Sequence, residues 1–183
     1  GGGAGAVGAG VPAGGWCRAE RTAVSEEIVV RSMEARDLPE VVEIERASSS
    51  TPWTGATFEG LLRRRDADLF VAEAEGRPVG FAVFWTVLDQ GELGNIAVSP
   101  AWRRRGVGTR LLRSVIERAR ERGVRELFLE VRVTNHGAQR LYQRHGFRMV
   151  GRRPQYYTEP VEDALVMCRW LDDEPAGADS SER

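Results

Sequence analysis

Lysine is absent from this sequence of 183 residues, so all 26 positive side chains are arginines. With Ala and Gly abundant, that skew reads as codon bias and points to no function. Cysteine is almost as scarce. Cys17 stands in a Gly-rich tail and Cys168 in the apolar run 164–170, which excludes a disulfide framework and fits a reduced, intracellular and cytoplasmic setting. No window approaches the roughly 20 apolar residues needed to cross a bilayer, so a soluble protein with no membrane partner is expected. The start of the chain also lacks the basic stretch and hydrophobic run of a secretion signal. Charge of either sign is not in excess: the formal net charge is -1 and the pI about 6.2, and nothing in that balance demands a nucleic acid. Histidine occurs only at His136 and His145, apart from the scattered cysteines, so no metal constellation is expected. No internal repeat is visible.

What is present is one domain's worth of patterned sequence. Residues 1–26 are Gly/Ala-rich with few large apolar side chains, and residues 172–183 are acidic and rich in Ser and Gly. Neither end can offset its ordering entropy, so both are expected to be disordered and the folded unit spans 27–171. A β-branched run over 28–33 suits a strand. Asp37-Leu38-Pro39 then offers an N-cap at Asp37 and a proline in the first turn of a helix. Pro52-Trp53-Thr54 interrupts it, and a second short helix starts near Thr57. Strands over 69–73, 79–88 and 92–98, separated by short turns, form antiparallel hairpins. Val107, Leu111, Leu112, Val115, Ile116 and Ala119 recur at steps of three and four, marking an amphipathic helix stopped by Gly123. Leu127, Leu129 and Val131 alternate with Phe128, Glu130 and Arg132 in a further strand. A helix through Ala138, Leu141 and Tyr142 ends at His145-Gly146, and strands over 147–153 and 164–171 close the order.

The stretch 95–109 passes from a strand, through a loop, into the amphipathic helix. It carries Arg103-Arg104-Arg105-Gly106-Val107-Gly108-Thr109. Gly106 and Gly108 have no Cβ, so an anion can approach the backbone. The first N–H groups of the helix lack intrahelical partners, and the helix N-terminus carries partial positive charge; both favour phosphate. The arginines add fork-shaped donors. On spacing alone the same residues also suit an ordinary exposed loop. The P-loop signature and the full dinucleotide glycine pattern are both missing, so the phosphate carrier is of another kind.

Two downstream residues have the chemistry for proton transfer. Glu130 faces away from the Leu/Val side of its strand, where partial burial would raise its pKa towards that of a useful base. Tyr142 could donate a proton or a hydrogen bond through its phenol. As bare patterns, the first is equally a strand carboxylate facing solvent or paired with Arg132, and the second a core aromatic.

The loop Arg103-Arg104-Arg105-Gly106-Val107-Gly108 resembles the Arg/Gln-x-x-Gly-x-Gly/Ala mark of the GNAT family of N-acetyltransferases, and the resemblance extends from Val30 to Met167. Leu129-Glu130-Val131-Arg132-Val133-Thr134-Asn135 and the segment from Ala138 to Phe147 are similar to the acceptor side of its bacterial ribosomal-protein-alanine branch. Pro52-Trp53, Gly91-Glu92-Leu93-Gly94-Asn95 and Arg153-Pro154-Gln155-Tyr156-Tyr157 share that branch's habits. The resemblance implies an α/β GNAT fold, with one mixed, mostly antiparallel sheet flanked by helices, and acetyl-CoA as cosubstrate without a metal. It implies Glu130 as base, Tyr142 as acid, and Asn135 as a cofactor contact. Ile96, Ala97 and Val98 would lie along the pantetheine arm, with the Val98 amide as oxyanion donor. Arg103, Arg104, Arg105, Gly106, Val107, Gly108 and Thr109 would hold the pyrophosphate. Trp53, Tyr156 and Tyr157 would meet a protein N-terminus, taken as the N-terminal alanine of a small-subunit ribosomal protein. A small amine or lysine acceptor, and a non-catalytic acyl-CoA-binding module, stand as the rival readings. Binding of nucleic acid through Arg103, Arg104 and Arg105 with Arg63, Arg64 and Arg65 is disfavoured by the near-zero net charge and lacks an aromatic stacking platform. The oligomeric state is not specified.

Overall fold

A computed structural model describes residues 27–172. The expected Gly/Ala-rich extension, Cys17 and residues 173–183 lie outside the described residues. Seven apolar-patterned runs form one sheet: β1 (Val29–Ser32), β2 (Ala67–Ala74), β3 (Arg77–Val87), β4 (Gln90–Val98), β5 (Glu126–Arg132), β6 (Arg148–Thr158) and β7 (Val161–Trp170). Their order is β1-β2-β3-β4-β5-β7-β6. Every neighbouring pair is antiparallel except β4 and β5, which run parallel. A parallel pair needs a crossover, and here α3 (Val107–Glu121) provides it.

Helices cover both faces. On one, α1 (Leu38–Ser48) and α2 (Gly55–Leu62) pack Val41, Ile44, Phe58 and Leu61 against Val71, Phe81, Val83 and Ala97. On the other, α3 and α4 (His136–Arg144) pack Leu111, Leu112, Val115, Ile116 and Tyr142 against Phe84, Leu93, Leu127 and Leu129. The arrangement is the mixed, mostly antiparallel α/β sheet flanked by helices that the family resemblance implies. Among the described residues, no helix is long and apolar enough to cross a membrane.

Three local expectations change. Asp37 stands at the N-cap of α1, but its carboxylate makes no capping bond there. It instead takes both Nη atoms of Arg31 at 2.8 Å and the Glu34 N–H at 2.8 Å. A charged fork competes better for a buried carboxylate than a neutral amide does. Second, α2 begins at Gly55 because Thr54 is its cap, with Oγ1 accepting from Thr57 N at 3.3 Å. Third, β6 continues to Thr158, five residues past Arg153, because pairing with β7 extends to Thr158 opposite Val161. That strand is largely exposed, so no apolar alternation announced it.

The sheet has one seam that opens. Residues 90–93 of β4 pair with 126–129 of β5, and the ladder then stops although both strands continue. The cause lies one strand over. Val83 pairs with Asn95 and Phe84 with Leu93, so Gly94 is an extra residue in β4, and a bulge of this kind bends its strand. A Cβ on Gly94 would lie 2.1 Å from the Trp85 ring. Gly94→Ala is therefore expected to destabilise the fold by about 1–3 kcal/mol through overpacking. Urea unfolding would show the loss, and an unchanged midpoint would mean that the Trp85 ring yields freely.

Candidate active site

Beyond the bulge, backbone alternation decides which groups face the opening. Ser99 N–H bonds Val79 O at 2.8 Å, and Gly80 pairs with Val98. In an antiparallel ladder such bonded pairs alternate with non-bonded ones. Ala97 and Asn95 are therefore turned to β3, while the N–H groups of Ile96 and Val98 point the other way, to the side that β5 has left. The opening widens into a cleft of about 500 Å³ that includes Glu45, Trp53, Ile96, Ala97, Glu130, Arg132, Asn135, Tyr142, Tyr156 and Tyr157.

Glu130 and Tyr142 enter this cleft from opposite layers. Leu129 and Val131 belong to the core under α3 and α4, so the strand period sends Glu130 to the other face. Its side chain is only 14% exposed, with Arg153 Nη2 at 3.3 Å from Oε1. Burial raises the Glu130 pKa, the nearby Glu92 raises it further, and Arg153 opposes them. The bare-pattern partner Arg132 is not the cation at Glu130; Arg153 from β6 is. Tyr142 belongs to α4 and is buried against Phe147, with ring centroids 5.8 Å apart. Burial pushes its phenol well above the ordinary range, aided by Tyr157, so it remains a proton donor.

Asn135 caps α4 through Oδ1, which accepts from Ala138 N at 3.1 Å, and its side chain also borders the cleft. Trp53 serves as both core plug and wall: its ring lies 5.7 Å from that of Phe58, and it borders the cleft. Tyr156 and Tyr157 meet edge to face at 5.1 Å. Burial pushes the Tyr157 phenol up to about 12.

The arginine loop lies beyond this cleft. Val98, Arg103, Arg104, Arg105, Gly106, Val107, Gly108 and Thr109 are not among its lining residues. They continue the path along β4. Arg103 Nε donates to Val98 O at 3.2 Å, and a Cβ on Gly108 would sit 3.4 Å from Leu141 and 3.9 Å from Val98. Gly106 is the N-cap of α3 at φ +78°, and a Cβ there would meet nothing within 4 Å. Its carbonyl accepts the first helical bond, from Arg110 N at 3.1 Å, so the amides of Val107, Gly108 and Thr109 have no intrahelical partner. The guanidinium of Arg105 stacks over Trp102 at 4.8 Å. The open place beside Gly106 lies at the N-terminus of a 15-residue helix, whose partial positive charge and unpaired amides favour an anion.

The sequence reading missed Glu45, a buried carboxylate on the cleft wall. Its Oε1 accepts from Trp53 N at 3.0 Å and its Oε2 from Asn95 Nδ2 at 3.1 Å, which fastens β4 and the α1–α2 connection to α1. A signal was available, since a glutamate falling in phase with Leu38 and Val41 sits on the apolar stripe of a helix. Glu92 was missed too; it lies two residues before the bulge and acts on Glu130 through charge. Among the described residues, no group of three or more His, Cys, Asp or Glu side chains is placed to hold a metal.

A parted strand pair that leads to a helix N-terminus, with a half-buried carboxylate and a buried phenol at its inner end, suits a transferase that takes its acyl group from an acyl-CoA. The family model described as the acetyltransferase (GNAT) family matches residues 30–147, and the chain belongs to that family. It is an acetyl-CoA-dependent N-acetyltransferase. The Escherichia coli [ribosomal protein bS18]-alanine N-acetyltransferase is 38% identical over 141 residues, covering 76% of this chain and 95% of its own. A Bacillus subtilis protein provisionally given the same name is 42% identical over 139 residues, 75% of this chain and 92% of its own. The crystal structure of the E. coli ribosomal-protein-S18-alanine N-acetyltransferase superposes with a TM-score of 0.74 at 34% identity, covering 85% of this chain and all of that one.

The raised Glu130 pKa has a direct kinetic signature. With Glu130 as the proposed base, which works only when deprotonated, activity should fall with acidification at a pH above the ordinary glutamate range, and Glu130→Gln should remove that limb. Arg153→Gln withdraws the opposing cation and should move the limb of the pH–rate profile to higher pH; movement to lower pH would contradict this arrangement.

Proposed function

We propose that the chain acetylates the N-terminal α-amine of a protein, the N-terminal alanine of a small-subunit ribosomal protein, in the cytoplasm. The observation that carries the chemistry is the convergence of Glu130 and Tyr142 on one cleft from opposite faces of the sheet. The acceptor is supported by relatives at 38% and 42% identity that are named for ribosomal protein bS18 and its alanine.

Acetyl-CoA fits the path described above, since the outward amides of Ile96 and Val98 offer strand-like pairing and the open approach at Gly106 admits a phosphate. When bound, it supplies a thioester carbonyl carbon and a thiolate leaving group. The amides of Gly106, Val107, Gly108 and Thr109, with Arg103, Arg104 and Arg105, hold the pyrophosphate. Ile96 and Ala97 flank the pantetheine arm together with Asn135, and the Val98 N–H takes the charge that develops on the carbonyl oxygen. Glu130 removes a proton from the α-ammonium, whose ordinary pKa near 8 makes that transfer modest in cost. The amine nitrogen then forms its bond to the acyl carbon, the carbon–sulfur bond breaks, Tyr142 gives its proton to the sulfur, and the second proton shed by the nitrogen restores Tyr142, so the proton on Glu130 is the one released overall. Trp53, Tyr156 and Tyr157 hold the acceptor chain.

Glu130→Gln and Tyr142→Phe should each lower kcat by about 10²-fold or more, while CoA affinity measured by calorimetry stays near the wild-type value. Wild-type rates in both would remove the assigned roles. Intact-mass comparison of ribosomal proteins from cells with and without the enzyme should show one acetyl group gained on a single small-subunit protein. Peptides beginning with alanine should be turned over in preference to polyamines and free lysine; the reverse order would replace the acceptor with a small amine, and CoA binding without acetylation of any amine would favour a binding module.

A further inference from the structure

The cleft has two walls that belong to different parts of the chain. Ser48, Ser49, Ser50, Thr51 and Trp53, around the α1–α2 connection, form one; Tyr156, Tyr157 and Thr158, at the end of β6, form the other. Arg132, the last residue of β5, is bonded to both. Its Nη2 donates to Ser50 Oγ at 3.2 Å on the first wall and to Glu159 O at 3.2 Å in the turn that directly follows the second. Its Nη1 donates to Pro160 O at 3.2 Å and to Glu162 Oε2 at 3.2 Å. The guanidinium lies 4.1 Å from the centroid of the Tyr157 ring. Ser50 Oγ also donates to Glu159 O, which closes the bridge between the walls.

The platform beneath Arg132 is itself tied down. Gln139 Nε2 donates to the carbonyls of Arg132 and Val133 at 3.0 and 2.9 Å. Glu162 accepts from the Thr134 hydroxyl at 2.6 Å and its amide at 2.7 Å, and these bonds with Arg132 hold its carboxyl below the usual range. None of the groups that Arg132 contacts belongs to either apolar core.

We propose that Arg132 is a positioning residue that sets the width of the acceptor mouth. It holds Ser50 and the turn at Glu159 and Pro160 at one separation, and keeps Tyr157 turned to the chain that enters between them. The proposal rests on the peptide-acceptor reading above. Four acceptors around one plane, with an aromatic ring stacked on that plane, match a guanidinium; a lysine ammonium could satisfy some of the bonds but neither the fork nor the stacking. Arg132 touches no reacting atom, so its removal should be felt in capture of the acceptor.

Steady-state kinetics with acetyl-CoA and a synthetic peptide beginning with alanine test this. Arg132→Gln and Arg132→Lys should raise KM for the peptide by about tenfold or more, the order expected when a positioning contact is lost, with KM for acetyl-CoA within about twofold of wild type. Ser50→Ala, at an exposed position, should give a smaller rise, and should add little further in the Arg132→Gln background because the two share one bridge. An unchanged peptide KM in Arg132 variants that melt like wild type would overturn the clamp. So would an equal rise in KM for both substrates, or full additivity with Ser50→Ala. A wild-type enzyme that ignores the peptide would refute the acceptor reading and the clamp together, whereas one that acetylates it while the variants keep its KM refutes the clamp alone.

Discussion

The site depends on one pair of strands failing to stay together. β4 and β5 are the sheet's sole parallel neighbours among the described residues, and they pair only as far as Leu93 and Leu129. The extra residue at Gly94, packed against the Trp85 ring, bends β4 while β5 runs on. An unpaired strand edge inside a protein is costly, because its N–H and C=O groups need partners. The amides of Ile96 and Val98 face that opening, and the function proposed above pairs them with a ligand that brings its own polar backbone. The same parting lets a residue from each face of the sheet reach one gap, Tyr142 from the α4 side and Glu130 from the other.

Charge is divided along β4. At its outer end stand Arg103, Arg104 and Arg105 and the positive terminus of α3; at its inner end stand Glu92, Glu130 and the buried Glu45. The first group suits a pyrophosphate and the second an ammonium ion, so a net charge of -1 conceals a polar axis. Holding Glu130 in poor solvent has a linked effect on the fold. Its folded pKa lies above the unfolded one, so the folded protein binds that proton more tightly. The contribution is fully present below the unfolded pKa and is lost as pH rises through the folded one. With Glu130 as the proposed base, the carboxylate is one the fold carries at a disadvantage under working conditions.

Much of this was legible before any coordinates. The apolar steps in α3, the alternation in β5, and the stops at Gly123 and Gly146 each follow from a local period or a backbone conformation that favours glycine. β6 was cut short because an exposed strand held by hairpin bonds carries no apolar signature. Asp37 occupied the right position with the wrong partner, since the competing Arg31 arrives from a strand and no spacing rule weighs the two. Alternation along β5 sends Glu130 to the face away from Leu129, but it cannot tell a solvent-facing carboxylate from one paired with Arg132 or with a cation from another strand. Arg153 reaches Glu130 only through the pairing of β6 and β7 beside β5.

The sequence by itself determined the elements, the helix start that can receive a phosphate, and the residue types able to move a proton, because periods, caps and side-chain chemistry are properties of short stretches. Tertiary structure decided which of them meet. Glu45 gains its place from Trp53 and Asn95, and Arg132 from Ser50, Glu159, Pro160 and Tyr157, all brought together by folding from separate segments. The opening between β4 and β5 is likewise a matter of register, and a register is a relation between strands that neither strand encodes alone.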